Sequence, residues 1–225
     1  MTMQITDEML TRRTIPGGDD AFVMLRDLLV AEVLAPHGGA RSWTLQGFGM
    51  LRTYLGPSLR LHVWDPRYRV PDVTEIHDHP WHFTSLVVSG RMRNVRYQAL
   101  PGLVGETEPT HVVGRIMCGA RPTQDDVVTG SARLVVLDEE TYGPGRSYSM
   151  RADELHASYP DAGTITLCRR VSAEGRSPDH ASVCWPVGGS RVSAEPRAAS
   201  PEEVQDILSL ALGALSPGRE GSDAR

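Results

Sequence analysis

Lysine is missing from this 225-residue chain: all 23 basic residues are arginine. Without a lysine amine there is no Schiff base to pyridoxal phosphate or to a carbonyl substrate, and no P-loop lysine for nucleotide phosphates. Cysteine is scarce. Cys118, Cys168 and Cys184 are odd in number, widely spaced and without a Cys-x-x-Cys pair. Neither a zinc knuckle nor a disulfide framework is expected, and idle or buried free thiols are. No apolar run approaches ~18 residues, so no membrane span is expected. The first residues, MTMQITDEMLTRR, lack the basic-then-apolar order of a secretory signal, and the expected location is cytoplasmic. The net charge of −5 comes without a basic stripe, so nucleic acid is not an expected partner. No HExxH is present, which argues against that kind of zinc hydrolase.

What is present fits a soluble globular protein, with 40% hydrophobic and 23% charged residues. Residues 19–36 predict a helix, with Asp19 or Asp20 as a cap and Phe22, Leu25, Leu29 and Val33 on one face. Residues 201–215 predict a second, with Ser200 as N-cap, Pro201 in the first turn, and Glu202 and Glu203 against the helix dipole. Between them the pattern changes to short alternating segments: 42–55, 58–65, 73–79, 83–89, 92–99, 111–117, 132–138, 146–151, 164–170 and 181–187. Roughly ten short strands at this spacing predict a mainly β sandwich or barrel. The expected organisation is an N-terminal helical segment at 1–41 packed on a barrel at 42–188. A linker and helix follow at 189–216, then a disordered tail at 217–225. The loop-rich stretch 100–130 leaves room for a hairpin.

Three of the eight histidines crowd into EIHDHPWHF, residues 75–83. On a strand, side chains alternate faces, so His77 and His79 point the same way and Asp78 the other. Their α-carbons would lie roughly 6.6 Å apart at a strand's rise, close enough for two imidazoles to converge on one ion. His82 falls on the opposite face unless Pro80 bulges the strand and re-aims it. Its candidate roles are a structural group or partner of the ligands, a fourth ligand, or an acid–base group.

After His79 come three residues, Phe83, six more residues and Gly90. This order resembles the first motif of the cupin superfamily: His-x-His, three or four residues, Glu, six residues, Gly. Gly90 and the apolar run before it fall in register, while Phe83 (or Thr84 in the longer variant) stands in the glutamate slot. Residues 143–170, GPGRSYSMRADELHASYPDAGTITLCRR, resemble the second cupin motif, with His156 as its histidine. There ADE replaces the family's Pro-x-Gly, and Pro160 stands where Asn is usual. The resemblance covers about residues 58–170. It implies a single cupin-type β-barrel (jelly roll) with flanking helices and a metal held by His77, His79 and His156. Without the glutamate the set is neutral, and is similar to that of thiol dioxygenases and of some ring-cleaving and diketone-cleaving cupin dioxygenases. Such a set implies Fe(II), left more positive and with positions open to an anionic substrate and O2. Ni, Co, Mn, Zn and Cu are the alternative divalent occupants. The family also implies dimerisation through edge strands.

Other side chains become candidates around such a centre. In SLRLHVWD, Leu59, Leu61 and Val63 alternate with Arg60, His62 and Trp64. If the second set lines the lumen, Arg60 pairs a carboxylate, His62 relays protons and Trp64 contacts substrate. Phe83 and Arg93 are further substrate-binding candidates. Tyr97 and Tyr148 are phenols that could donate to a substrate anion or bound oxygen. His37, His111 and His180 read as surface residues in loops or at edges. The leading functional expectation is an iron dioxygenase acting on a small anionic thiol, enol or carboxylate. A metal-dependent isomerase, lyase or hydrolase stands beside it, as does a non-enzymatic small-molecule sensor.

Overall fold

The computed structural model describes residues 18–34, 41–101, 108–117, 127–174 and 180–215. Two helices, α1 (Gly18–Val33) and α2 (Pro201–Ala214), flank thirteen strands. The strands run β1 (Thr44–Gln46), β2 (Phe48–Tyr54), β3 (Leu59–Arg69), β4 (Ile76–His77), β5 (Trp81–Ser89), β6 (Met92–Pro101) and β7 (His111–Met117). They continue with β8 (Val127–Tyr142), β9 (Ser147–Met150), β10 (Leu155–Pro160), β11 (Thr164–Ser172), β12 (His180–Pro186) and β13 (Arg197–Ala198). Seven form a sheet in the order β13-β1-β2-β3-β11-β5-β9, and six close into a barrel, β10-β4-β12-β7-β8-β6. The mainly β architecture with a closed barrel and two flanking helices agrees with the sequence. No helix among the described residues is long and apolar enough to cross a membrane.

The register divides the seven-stranded sheet into two faces, because residues directly opposite on paired strands share a face. One face carries Leu51, Leu61, Val63, Ile165, Leu167, Leu86 and Val88, and both helices pack on it through Leu25, Leu28, Leu29, Val204, Ile207 and Leu208. Burial of such side chains stabilises by about 1.5–3 kcal/mol each relative to exposure. The other face carries a row running Tyr54, Arg60, Cys168, Ser85 and Tyr148 from strand to strand. Arg52, His62 and Thr166 form the next row. The alternation in SLRLHVWD is therefore the alternation between a helix-packed face and a lumen face.

Helix α2 begins as its sequence predicts. Ser200 accepts the Glu203 N–H, and the Glu203 carboxylate takes the Ser200 N–H at 2.9 Å, closing a capping box. Helix α1 starts one residue before the expected range and ends at Val33, with Leu34 in a turn; residues 35–40, His37 included, lie outside the described residues. So do Cys118 and the tail from 216.

Several strands differ from expectation for local reasons. The segment 42–55 divides into β1 and β2 around Gly47, whose added Cβ would lie 2.8 Å from the Ala194 Cα. The strand expected over 73–79 pairs only at Ile76 and His77, since Pro80 has no N–H for a ladder. Segment 132–138 is part of the longer β8, which pairs with β7 as the hairpin expected in the loop-rich stretch. Strand β10 was not among the expected segments. Beyond residue 188 the chain adds β13 to the edge of β1.

Gly90 closes the β5–β6 turn at φ 77°, where an added Cβ would meet Thr164 Oγ1 at 2.5 Å and its Cα at 2.8 Å. The buried Thr164 hydroxyl donates to Arg91 O at 3.0 Å and accepts the Arg91 N–H at 3.2 Å, so it cannot retreat without breaking the turn. Gly90→Ala should therefore destabilise the protein by about 1–3 kcal/mol. Urea unfolding should show this as a lower midpoint at an unchanged slope.

Candidate metal centre

Three imidazoles meet beside the barrel strands β4 and β10. His77 on β4 lies directly across from His156 on β10. His79 follows two residues later, beyond the end of β4. Ring centroids lie 4.9 Å apart for His77–His79, 4.9 Å for His77–His156 and 5.2 Å for His79–His156. One ligand atom from each falls within 4.8 Å of the other two. Ligands ~2.1 Å from a shared ion stand about 3–3.5 Å apart, so modest side-chain rotation completes the set.

The tautomers are fixed by neighbours. His77 Nδ1–H donates to Glu75 O at 2.7 Å, and His156 Nδ1–H donates to Glu154 O at 2.9 Å. A carbonyl only accepts, so both rings carry their proton on Nδ1 and keep an Nε2 lone pair. The two acceptors belong to equivalent segments, Glu-Ile-His and Glu-Leu-His. Each glutamate is tied down by an arginine. Glu75 pairs with Arg69 and accepts the Tyr159 hydroxyl at 2.6 Å; Glu154 pairs with Arg96 at 2.8 Å. This doubled Glu-x-His is a signal the sequence carries and the histidine spacing alone does not reveal.

Asp78 does what its alternation suggests, turned away from the imidazoles. It is buried, its N–H donates to Ser182 O at 3.0 Å, and its carboxylate accepts the Ser182 N–H at 2.6 Å. Strand β4 is thus riveted to β12 just where Pro80 ends it, and His79 is delivered from an irregular segment rather than from a strand.

Burial favours the neutral, ligating form of each ring. It lowers the His77 pKa to about 4 and, with His77 and Arg96 adding repulsion, that of His156 to about 3. His79 is lowered well below its ordinary value by burial, then by the other two imidazoles. Aromatic walls supply that burial. Phe48 stacks on His77 at 5.2 Å, Trp81 stacks on His79 at 5.5 Å, and Phe83 meets His79 edge-on at 5.1 Å. Phe83 also lies 6.0 Å from His156. The chemistry of the donors fits a divalent ion: three neutral nitrogens, two of them oriented, with no carboxylate in the cluster.

The remaining candidates divide clearly. His82 is not part of the cluster; its Nδ1 accepts the Ala152 N–H at 3.1 Å. Trp64, Phe83 and Tyr148 belong to a buried cluster with Met50, Val87, Met92, Tyr142, Met150 and Cys168. Phe83 stands between Tyr148 and the histidines, 6.2 Å from the first. Burial raises the Tyr148 pKa, while Ser85 and Asn94 contact its hydroxyl. Arg60 and His62 are buried on the lumen face, and Arg60 lies 5.1 Å from the Trp81 ring that stacks on His79. The structure does not bring Tyr97 or Arg93 to the histidines. Both lie on the face of β6 opposite Met92, Asn94 and Arg96, where Arg93 covers the Tyr159 ring at 4.2 Å and binds Glu139 at 3.2 Å. His111 and His180 are half-buried at strand starts rather than in loops. Cys168 and Cys184 are free and buried.

Compared with protein-family models and with curated proteins, the chain matches none.

Two outcomes follow from this geometry. Alanine at His77, His79 or His156 should empty the site, because two imidazoles hold a divalent ion poorly, while His82→Ala should keep it. Metal per chain in the four variants, each with a native circular-dichroism spectrum, checks this. Trp81 emission should also change when Fe(II), Ni(II) or Co(II) is added to metal-free protein, since its indole stacks directly on a ligand ring. Trp81→Phe should remove most of that change.

Proposed function

We propose that this protein is a metal-dependent oxygenase of the cupin type, using Fe(II) and O2 on a small anionic thiol, enol or carboxylate. The observation that carries the reading is the neutral three-histidine cluster in a β-barrel, with two tautomers locked by Glu75 and Glu154. Bound Fe(II) would supply a positive centre with positions open to O2 and to a substrate anion.

The chain's own groups set the conditions around that centre. His77, His79 and His156 would hold the ion through three neutral nitrogens. Phe48, Trp81 and Phe83 exclude water from the rings, which strengthens any charge interaction made there. Phe83 stands where the resembled motif has glutamate, so nothing at that position competes with an anionic ligand. Arg60 supplies a cation for the far end of the substrate and orients it. Burial and the nearby arginines, Arg60 first among them, keep His62 neutral, suited to exchanging a proton with bound substrate.

The test is anaerobic reconstitution with Fe(II), followed by an oxygen-electrode assay against a panel of small thiols, β-dicarbonyls and hydroxy acids. Oxygen uptake should require both Fe(II) and one substrate class, and should fall at least about 100-fold in His156→Ala, in line with loss of a ligand rather than of an outer partner. Turnover with Zn(II) and without oxygen uptake would instead establish non-redox chemistry. Saturable binding of a compound without turnover would make the protein a sensor.

A further inference from the structure

The lumen face holds a second feature, a group of three arginines from β2, β3 and the sequence-distant β11. Arg60 on β3 sits between Tyr54 on β2 and Cys168 on β11, with Arg52 and Arg170 diagonal to it on the same face. Two aromatic rings face the three guanidiniums. Arg52, Arg60 and Arg170 lie 5.8, 5.0 and 5.6 Å from the Tyr54 ring. Arg60 and Arg170 lie 5.1 and 4.9 Å from the Trp81 ring.

Among the described residues no carboxylate pairs with any of the three. Their recorded polar partners are the Tyr54 hydroxyl, 2.9 Å from Arg60, and Pro57 O, 3.3 Å from Arg170. The Nε groups of Arg52, Arg60 and Arg170 are buried without a hydrogen-bond partner, as is Nε2 of the neighbouring His62. Arg60 is 7% exposed and His62 8%. Other arginines of this protein behave differently: Arg67 binds Asp65 and Asp206, Arg96 binds Asp138 and Glu154, and Arg197 binds Glu203. Burial and mutual repulsion depress the pKa of Arg60 to about 10.

Clustered, partly desolvated cations with orphaned donors are costly, and cation–π contact recovers only part of that cost. An anion with several acceptor oxygens would satisfy them together, since guanidinium forks match carboxylate and phosphoryl oxygens in two-pronged fashion. Access exists at the rim, where Tyr54 is exposed and Arg52 and Arg170 are half-buried.

We propose that Arg52, Arg60 and Arg170 form a binding site for a doubly charged oxyanion, either a phosphoryl group or a pair of carboxylates. The site sets substrate class by holding the end of the substrate remote from the three histidines. Trp81 is the ruler between the two ends, stacking on His79 with one part of the molecule's wall and lying against Arg60 and Arg170 with the other. A substrate of a few carbon atoms with a metal-binding head and a dianionic tail spans it. The role of the tail rests on the proposed metal-dependent function; the anion site itself does not.

The test is calorimetric titration of inorganic phosphate, malonate and acetate into the full chain as purified, at low ionic strength, with metal per chain measured in the same samples. Phosphate or malonate should bind at one site per chain, and the tighter of the two identifies the tail as phosphoryl or dicarboxylate. Arg52→Gln and Arg170→Gln should each weaken binding by about 10- to 100-fold, the worth of one or two charge-assisted hydrogen bonds, with metal content and circular dichroism unchanged. His77→Ala should lose the metal and keep the anion. No saturable binding of either dianion, equal binding in the arginine variants, or loss of binding in folded His77→Ala would overturn the site. Acetate binding as tightly as malonate would overturn its double charge. A chain that binds the dianion but never a metal would leave this site standing and remove the proposed function.

Discussion

The candidate site depends on one short antiparallel contact, His77 on β4 opposite His156 on β10. Strand β4 is two residues long and would not hold its place alone. It is held from both sides. β10 pairs with it through His156, and β12 pairs with it at Val183 and Cys184. Asp78 then clamps the chain to Ser182 from both its backbone and its side chain. Because each ring also donates to the carbonyl two residues before it, fixing the backbone fixes the imidazole. The Arg69–Glu75 and Arg96–Glu154 pairs act one step further out, on the residues that own those carbonyls.

The two faces of the seven-stranded sheet divide the labour of the molecule. The helix-packed face is almost wholly aliphatic, and the capping box and apolar stripe of α2 are made to cover it. That burial supplies cohesion without using the lumen face, which is left free to carry groups that are poor for stability. Three arginines with unsatisfied Nε groups, a buried neutral histidine and a set of crowded imidazoles are all of that kind. A fold stabilised on one side can accommodate such groups on the other, as functional sites often require.

Much of this was legible in the sequence where a pattern is local. The Ser200-Pro201-Glu202-Glu203 start of α2, the Leu25/Leu29 face of α1 and the alternation of SLRLHVWD each depend on residues a few positions apart. His77 and His79 were legible because their spacing to Gly90 resembles a known motif, and His156 because residues 143–170 resemble a second. Strand β10 was missed although Leu155, Ala157 and Tyr159 alternate with His156 and Ser158, since a closing proline and a preceding acidic turn hide so short a segment. The expected strand through His79 failed because Pro80 ends pairing and a side chain, Asp78, replaces the ladder. The arginine group was legible only in Arg60. Arg52 reaches it through the register of β2 with β3, and Arg170 through that of β3 with β11, and register between strands a hundred residues apart has no local signature.

The charge balance of the lumen ties the two sites together. His77, His79 and His156 contribute none, and Phe83 stands where a carboxylate would offset a metal's charge in the motif it resembles. Arg52, Arg60 and Arg170 add three positive charges, with no acidic partner among the described residues. Asp65, the buried carboxylate of β3, is on the opposite face and bound by Arg67. Acidic residues outnumber basic ones in the chain as a whole, yet among the described residues none pairs with these arginines or joins the histidine cluster. In a site of reduced dielectric such an excess of positive charge is stable chiefly when an anion completes it. On the proposed reading, the substrate is the missing counter-charge. A neutral compound would leave the arginine donors unsatisfied, whereas an anion carrying charge at both ends would meet the unpaired arginines with one and the three-histidine centre with the other. Selectivity for charge follows from what the lumen omits as much as from what it presents.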